Sequence, residues 1–243
     1  IDRPAVLDEA AKLVIDVDGV KNAWLEPASQ AQPSLFYREK PSLETGEKVI
    51  RLKDGAGANP LALQGLYRVL IEKSAASGKD GNIIVREVAE RLHAQRGLAI
   101  DFETIQVIAS QDIQFQASVE IDPAIDPDDV YLAILEKIAA YLSPSVAFKT
   151  LDECLAQHQS IDAIFDGPLL NHGFIDSDEL IKLKRKKNLY VSDLIREIMD
   201  VPGVLLVEQV VFYVSVGGKL NDTALALEAD KVPILDVKNS QLT

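Results

Sequence analysis

A single cysteine, Cys154, in 243 residues excludes an internal disulfide and any zinc site built from several thiolates. Its neighbours Leu151, Leu155 and Ala156 place it at a half-buried helix position, where it serves as a small core hydrophobe. A lone thiol fits folding in a reducing compartment. Histidine is nearly as scarce. Only His93, His158 and His172 occur, and although His158 and Cys154 are four apart on one helical face, two ligands make no site. Positive charge is also short: 25 Lys and Arg against 38 Asp and Glu leave a net charge of −13. That balance opposes nucleic acid and anionic membranes, which require an excess of cations. No apolar run approaches the roughly 20 residues needed to span a bilayer. The opening Ile1-Asp2-Arg3-Pro4 lacks both an initiator Met and a signal-peptide pattern, as expected of a processed chain or an excerpt.

Chemistry-bearing motifs are missing as well. The glycine-containing stretch Lys53-Asp54-Gly55-Ala56-Gly57-Ala58-Asn59 lacks the Gly-Lys-Ser/Thr ending of a phosphate loop, and no nucleophile elbow occurs. Asp126-Pro127-Asp128-Asp129 lacks the spacing of a calcium loop and reads as a helix opening. Asn171-His172-Gly173 reads as a turn. No catalytic residue, metal ligand or cofactor site is expected.

What is present is patterned secondary structure. Pro4 to Asp16 has helical spacing through Val6, Ala10, Leu13, Val14 and Val17, and Val20 to Leu25 reads as a strand. Residues 27–62 are irregular, with a hairpin at Leu35–Tyr37 and Val49–Leu52. A strand at Leu66–Glu72 precedes a helix capped by Asp80 or Asn82, with Val85, Val88, Ala89 and Leu92 inward. Thr104–Ala109 reads as another strand. Ile113 to Ile121 then alternates apolar and polar residues cleanly. Asp126 caps a helix with Pro127 in its first turn and Val130, Ile134, Ile138 and Tyr141 as its stripe, stopped by Ser143-Pro144. Short helices follow around Leu151–His158 and Asp178–Lys186. Ser192 is expected to cap a further helix with Leu194, Ile195 and Ile198 inward, before a strand from Val204 to Val216. The tail from Gly217 has little periodicity and is expected to lie across a neighbour or to continue into further sequence.

A helix followed by Asp-Val-x-Gly-Val and a strand occurs twice, at Asp16-Val17-Asp18-Gly19-Val20 and Asp200-Val201-Pro202-Gly203-Val204. The glycine takes a left-handed conformation at the helix end, and the valine starts the strand. The expected class is α+β, with mostly antiparallel strands, helices packed on one face and long irregular connections.

Several segments together resemble a known family. They are Ala117-Ser118-Val119-Glu120-Ile121; the helix Asp129-Val130-Tyr131-Leu132-Ala133-Ile134-Leu135-Glu136-Lys137-Ile138 with its stop at Tyr141-Leu142-Ser143-Pro144; and Val191-Ser192-Asp193-Leu194-Ile195-Arg196-Glu197-Ile198 leading into Val201-Pro202-Gly203-Val204. Gly19-Val20-Lys21-Asn22-Ala23-Trp24 and Gly65-Leu66-Tyr67-Arg68-Val69 extend the likeness upstream. The pattern resembles the baseplate J-like wedge proteins of contractile phage tails and extracellular injection systems. The resemblance implies a non-enzymatic structural subunit, made in the bacterial cytoplasm and built into a phage-tail-like particle. It would link hub to sheath and rearrange on contraction. Its partners would be other baseplate subunits around a six-fold axis, with neither nucleic acid nor a membrane span. On this reading residues 1–64 form a helix-strand segment and linker, 65–216 the core, and 217–243 an extended tail. Residues 147–190 are longer than the family pattern and are expected to dock a partner through Phe165, Leu169, Leu170, Phe174, Lys184, Arg185 and Lys186.

Overall fold

The computed structural model describes residues 3–28, 35–39, 48–51, 59–61, 65–98, 100–183, 185–214 and 223–243. The chain first runs α1 (Arg3–Ile15), β1 (Val20–Pro27), a small antiparallel sheet of β2 (Leu35–Glu39), β3 (Lys48–Arg51) and β4 (Asn59–Leu61), then β5 (Leu66–Lys73), α2 (Gly81–Ala94) and β6 (Asp101–Val107). It continues through β7 (Ala109–Ile121) and α3 (Pro127–Leu142) into the short helices α4 (Leu151–Ala156), α5 (Ile161–Ile164) and α6 (Ser177–Lys182). β8 (Asn188–Tyr190), α7 (Val191–Met199), β9 (Val204–Val214), β10 (Ala224–Ala226), β11 (Lys231–Leu235) and β12 (Gln241–Leu242) complete it.

Two sheets share one plan. β5 is flanked by antiparallel β1 and parallel β6, while β7 is flanked by antiparallel β9 and, on its other edge, parallel β11 and β12. Each sheet carries a helix pair, α1 on α2 and α3 on α7. The α+β class is as the sequence leads one to expect, with parallel strands added to the antiparallel pairs.

The two Asp-Val-x-Gly-Val turns occupy equivalent places in this plan. Gly19 and Gly203 both have φ +95°. Val20 N–H donates to the Val17 carbonyl and Val204 N–H to that of Val201, closing each turn. The Gly19 carbonyl accepts from Ser74 N–H and the Gly203 carbonyl from Asp122 N–H, the residues just past the ends of the central strands. One short motif thus ends a helix, reverses the chain and sets strand register in both halves.

Among the described residues, burial separates two large apolar cores, with a small third cluster of Leu70, Ile108 and Val232 packed with Trp24 beside them. One gathers Ile113, Phe115, Ile134, Ile138, Leu194, Ile198 and Phe212 between the β7–β9 sheet and α3 and α7. The other gathers Val14, Val69, Ile71, Ile84, Val88 and Leu92, together with Val146, Ile175 and Leu180 from beyond α3. Residues on both sides of the expected 64/65 boundary therefore share a sheet and a core, because β1 pairs with β5 and α1 packs on α2.

Local expectations are met where one residue dictates geometry. Asp126 caps α3 by accepting from Asp128 N–H, with Pro127 in the first turn, and Asp80 caps α2 by accepting from Asn82 N–H. Other local readings need correction. Because α2 starts at Gly81, its buried positions are Ile84, Val88 and Leu92, and Ile84 takes the place assigned to Val85. β6 begins at Asp101, its frame set by parallel pairing with β5. α6 ends at Lys182. Ser192 caps nothing: α7 leaves β8 directly, Tyr190 is the capping residue without a side-chain bond, and Val191 N–H donates to the Thr223 carbonyl. The tail returns to its own chain, with β11 and β12 on β7 and Val232 buried. Parallel addition to an open strand edge leaves little periodicity in sequence, which is why this segment reads as unstructured. Lys53–Ala58 of the glycine-containing stretch lies outside the described residues.

Candidate functional site

The chain between α3 and β8 forms a lobe that packs against the first module, and its seat is Asp16. This residue ends α1, and its side chain is wholly inaccessible to solvent. The carboxylate accepts from the backbone N–H groups of Asn171 (2.8 and 2.9 Å) and His172 (2.9 Å). It also meets the His172 ring at Nδ1 (2.9 Å) and the guanidinium of Arg91 on α2. Burial pushes the Asp16 carboxyl up, and the Asn171 and His172 amides, the imidazole and Arg91 outweigh that and hold it below the ordinary range. His172 Nε2 reaches Asp18 at 3.0 Å, so the ring spans both acids of the turn. The hydrogen bond to Asp16, helped by both negative charges, holds the imidazole pKa above its ordinary 6.5. Leu170 packs into the core beneath, and Lys12 donates to Ser177 (2.8 Å) on α6.

Within the lobe, Lys149 binds Asp176 (3.2 Å) and Glu179 (2.8 Å) and bridges by backbone to Phe174. Gly173, with φ +128°, lies so close to this bridge that a Cβ would stand 2.7 Å from the Lys149 carbonyl. Cys154 and Ile164 face inward. Facing outward are Leu151, Leu155, Ile161, Phe165 and Leu169, the last 84% exposed.

A polar seam joins the two cores. Glu72, at the end of β5 and 4% exposed, accepts from Lys21 Nζ (3.0 Å), Asn22 Nδ2 (2.8 Å) and the Ser143 hydroxyl just after α3. Asn22 also donates to the Pro144 carbonyl and Trp24 Nε1 to that of Leu183 (2.8 Å). Arg185 pairs with Glu26 (2.8 Å), which Arg68 also holds at 3.1 Å. Burial pushes the Glu26 carboxyl up, but Arg185 and Arg68 together hold it below its usual range. Lys186 lies over the Tyr141 ring, 2.9 Å from its centroid, and burial brings its pKa down to about 8. Burial, together with Asp193, pushes the Tyr141 hydroxyl up to about 12.

The candidate docking residues thus occupy different surroundings. Phe165 and Leu169 are exposed, Phe165 stacks edge-on against half-buried Phe174, and Leu170 is packed inward. Arg185 and Lys186 are spent on contacts within the chain, and Lys184 lies outside the described residues. Among the described residues no group of three or more His, Cys, Asp or Glu is placed to hold a metal ion. Cys154 is buried, and His158 sits past the end of α4 at φ +60°, off the helical face expected to carry both. Asp16 as a ligand for the lobe is not legible in the sequence, because its three partner residues lie 75 to 156 residues away.

Comparison with known proteins bears on the second core. Residues 109–227 match the family model described as baseplate wedge Pvc12-like domain 3. No curated protein matches the chain. Among solved structures, a chain from the cryo-EM structure of the anti-feeding prophage (AFP) baseplate, 6-fold symmetrised, shares the fold at TM-score 0.58 and 15% identity, over 97% of this chain. This chain spans 41% of the length of that one. The family match covers the β7–β9 sheet with α3 and α7, the elements that carry the sequence resemblance. Residues 109–227 are accordingly similar to a baseplate wedge domain of the Pvc12-like domain 3 type, and the chain as a whole shares the fold of a protein from an injection-system baseplate.

Proposed function

We propose that this chain is a non-catalytic structural subunit that links hub to sheath in the baseplate of a phage-tail-like particle and changes shape on contraction. It is made in the bacterial cytoplasm, and several copies surround the six-fold axis beside other baseplate subunits. The observation that carries this reading is the wedge-domain match on one of two separately cored modules. A seam held largely by ion pairs and hydrogen bonds, with one small apolar cluster at Leu70, Ile108 and Val232, supports the rearrangement, since polar contacts re-form after a rotation more readily than an interdigitated core. The lobe serves as a docking element, with Phe165 and Leu169 as contacts and Arg185 and Lys186 bracing it from within.

The test is cryo-EM of native particles before and after contraction. The expected result is density for this chain at six-fold positions in the baseplate, with the Glu72–Ser143 seam arranged differently in the two states. Purified, intact particles without the chain would refute the assignment. An unchanged seam would refute the rearrangement alone.

A further inference from the structure

The lobe combines an unusual set of surface properties. Leu151 and Leu155 are spaced i, i+4 on α4, and Ile161 and Phe165 likewise, from the first residue of α5 to its C-cap. All four point outward, from 41% to 64% exposed, while Cys154 and Ile164 supply the inward side of the same helices. Leu169 adds a fifth large apolar side chain. Scattered exposed leucines need no explanation, but five within 19 residues of one small lobe form a surface that a lone chain leaves unsatisfied. The stretch of the lobe that carries these side chains is also charged in one sense only. Residues 150–181 contain seven Asp and Glu and neither Lys nor Arg. Asp152, Asp162 and Asp166 each directly follow an exposed apolar residue in sequence, and none meets a Lys or Arg among the described residues.

We infer that this face docks a cationic, apolar-sided segment of a different polypeptide, with the leucines, Ile161 and Phe165 covered and Asp152, Asp162 and Asp166 paired at the rim. The inference rests on the reading of the chain as an assembly subunit and names the chemistry of one partner. Charge decides among occupants. A phosphate-bearing or anionic lipid surface is repelled by the acids. A second copy carries the same net charge of −13, and its Arg185 and Lys186 are turned inward. A basic partner gains both the apolar contact and the charge pairing, with the acids speeding encounter. The Asp16 seat fixes the loop that carries Leu169 from behind, so little freedom is lost on docking.

Zero-length carbodiimide coupling of intact particles, read by mass spectrometry, tests this directly because it joins only carboxylates and amines already in contact. Links from Asp152, Asp162 or Asp166 to lysines of another polypeptide are expected. Links to a second copy, or none from these residues in particles that contain the chain, would overturn the inference and leave the assembly role standing. The exposed charge reversals Asp162→Lys with Asp166→Lys should lower incorporation into particles by about tenfold or more, and Glu90→Lys on α2 should not. Equal incorporation of both variants counts against the proposal. Matching circular dichroism of the variants separates docking from folding.

Discussion

Asp16 shows how one side chain fixes a whole segment. Its carboxylate has no access to water and takes backbone amides, an imidazole and a guanidinium as substitutes. Asp16→Asn removes the charge while leaving the Arg91 cation beside it, and we expect a loss of about 3 kcal/mol in urea unfolding. An unchanged midpoint would show that the seat contributes nothing. The same cluster sets a pH dependence. The His172 pKa is raised on folding, so its contribution is complete below about pH 6.5 and is lost as pH rises through the higher folded value. The Asp16 pKa is lowered, so its contribution is complete above about pH 4 and is lost as pH falls through the folded value. The seat is therefore strongest from mildly acidic conditions up to the His172 transition. Midpoints measured against pH for the wild type and His172→Gln should converge above that transition and diverge below it, and parallel curves would contradict the assignment.

At the scale of elements, the paired turns carry the sharpest test. Both glycines sit at φ +95°, a conformation that opposes any β-carbon. At Gly203 an added Cβ would lie 2.8 Å from Ile125 and 3.2 Å from Val130, and at Gly19 2.6 Å from the Ser77 hydroxyl. Gly203→Ala and Gly19→Ala should each cost about 1 to 3 kcal/mol, measured by chemical denaturation. A neutral result at either would mean that the turn relaxes and that the register of its strand pair is set elsewhere. These turns were readable from sequence because a helix stop, a glycine and a β-branched start lie within five residues. The start of α7 was not, because a tertiary bond from Val191 to Thr223 replaces the side-chain cap that Ser192 offered.

At the scale of the molecule, two cores meet across a seam whose centre is a nearly inaccessible carboxylate, Glu72. Glu72→Ala strands Lys21 and Asn22 and should lower stability by about 3 kcal/mol. Trp24, the sole tryptophan, packs at the seam in a cluster with Leu70 of β5 and Val232 of β11 and reports its opening by fluorescence. In the variant we expect this signal to change at lower denaturant than circular dichroism at 222 nm, and coincident, unshifted curves would sink the idea of a separable seam. The sequence alone determined the α+β class, the capped helix at Asp126, the alternating strand at Ile113 and both glycine turns, because each depends on neighbours within a few residues. Only the tertiary structure decided that residues beyond α3 complete the first core, that the tail closes the β7 edge and that Arg185 and Lys186 turn inward. Those outcomes depend on contacts between residues far apart in the chain, for which helical and strand periodicity carry no signal.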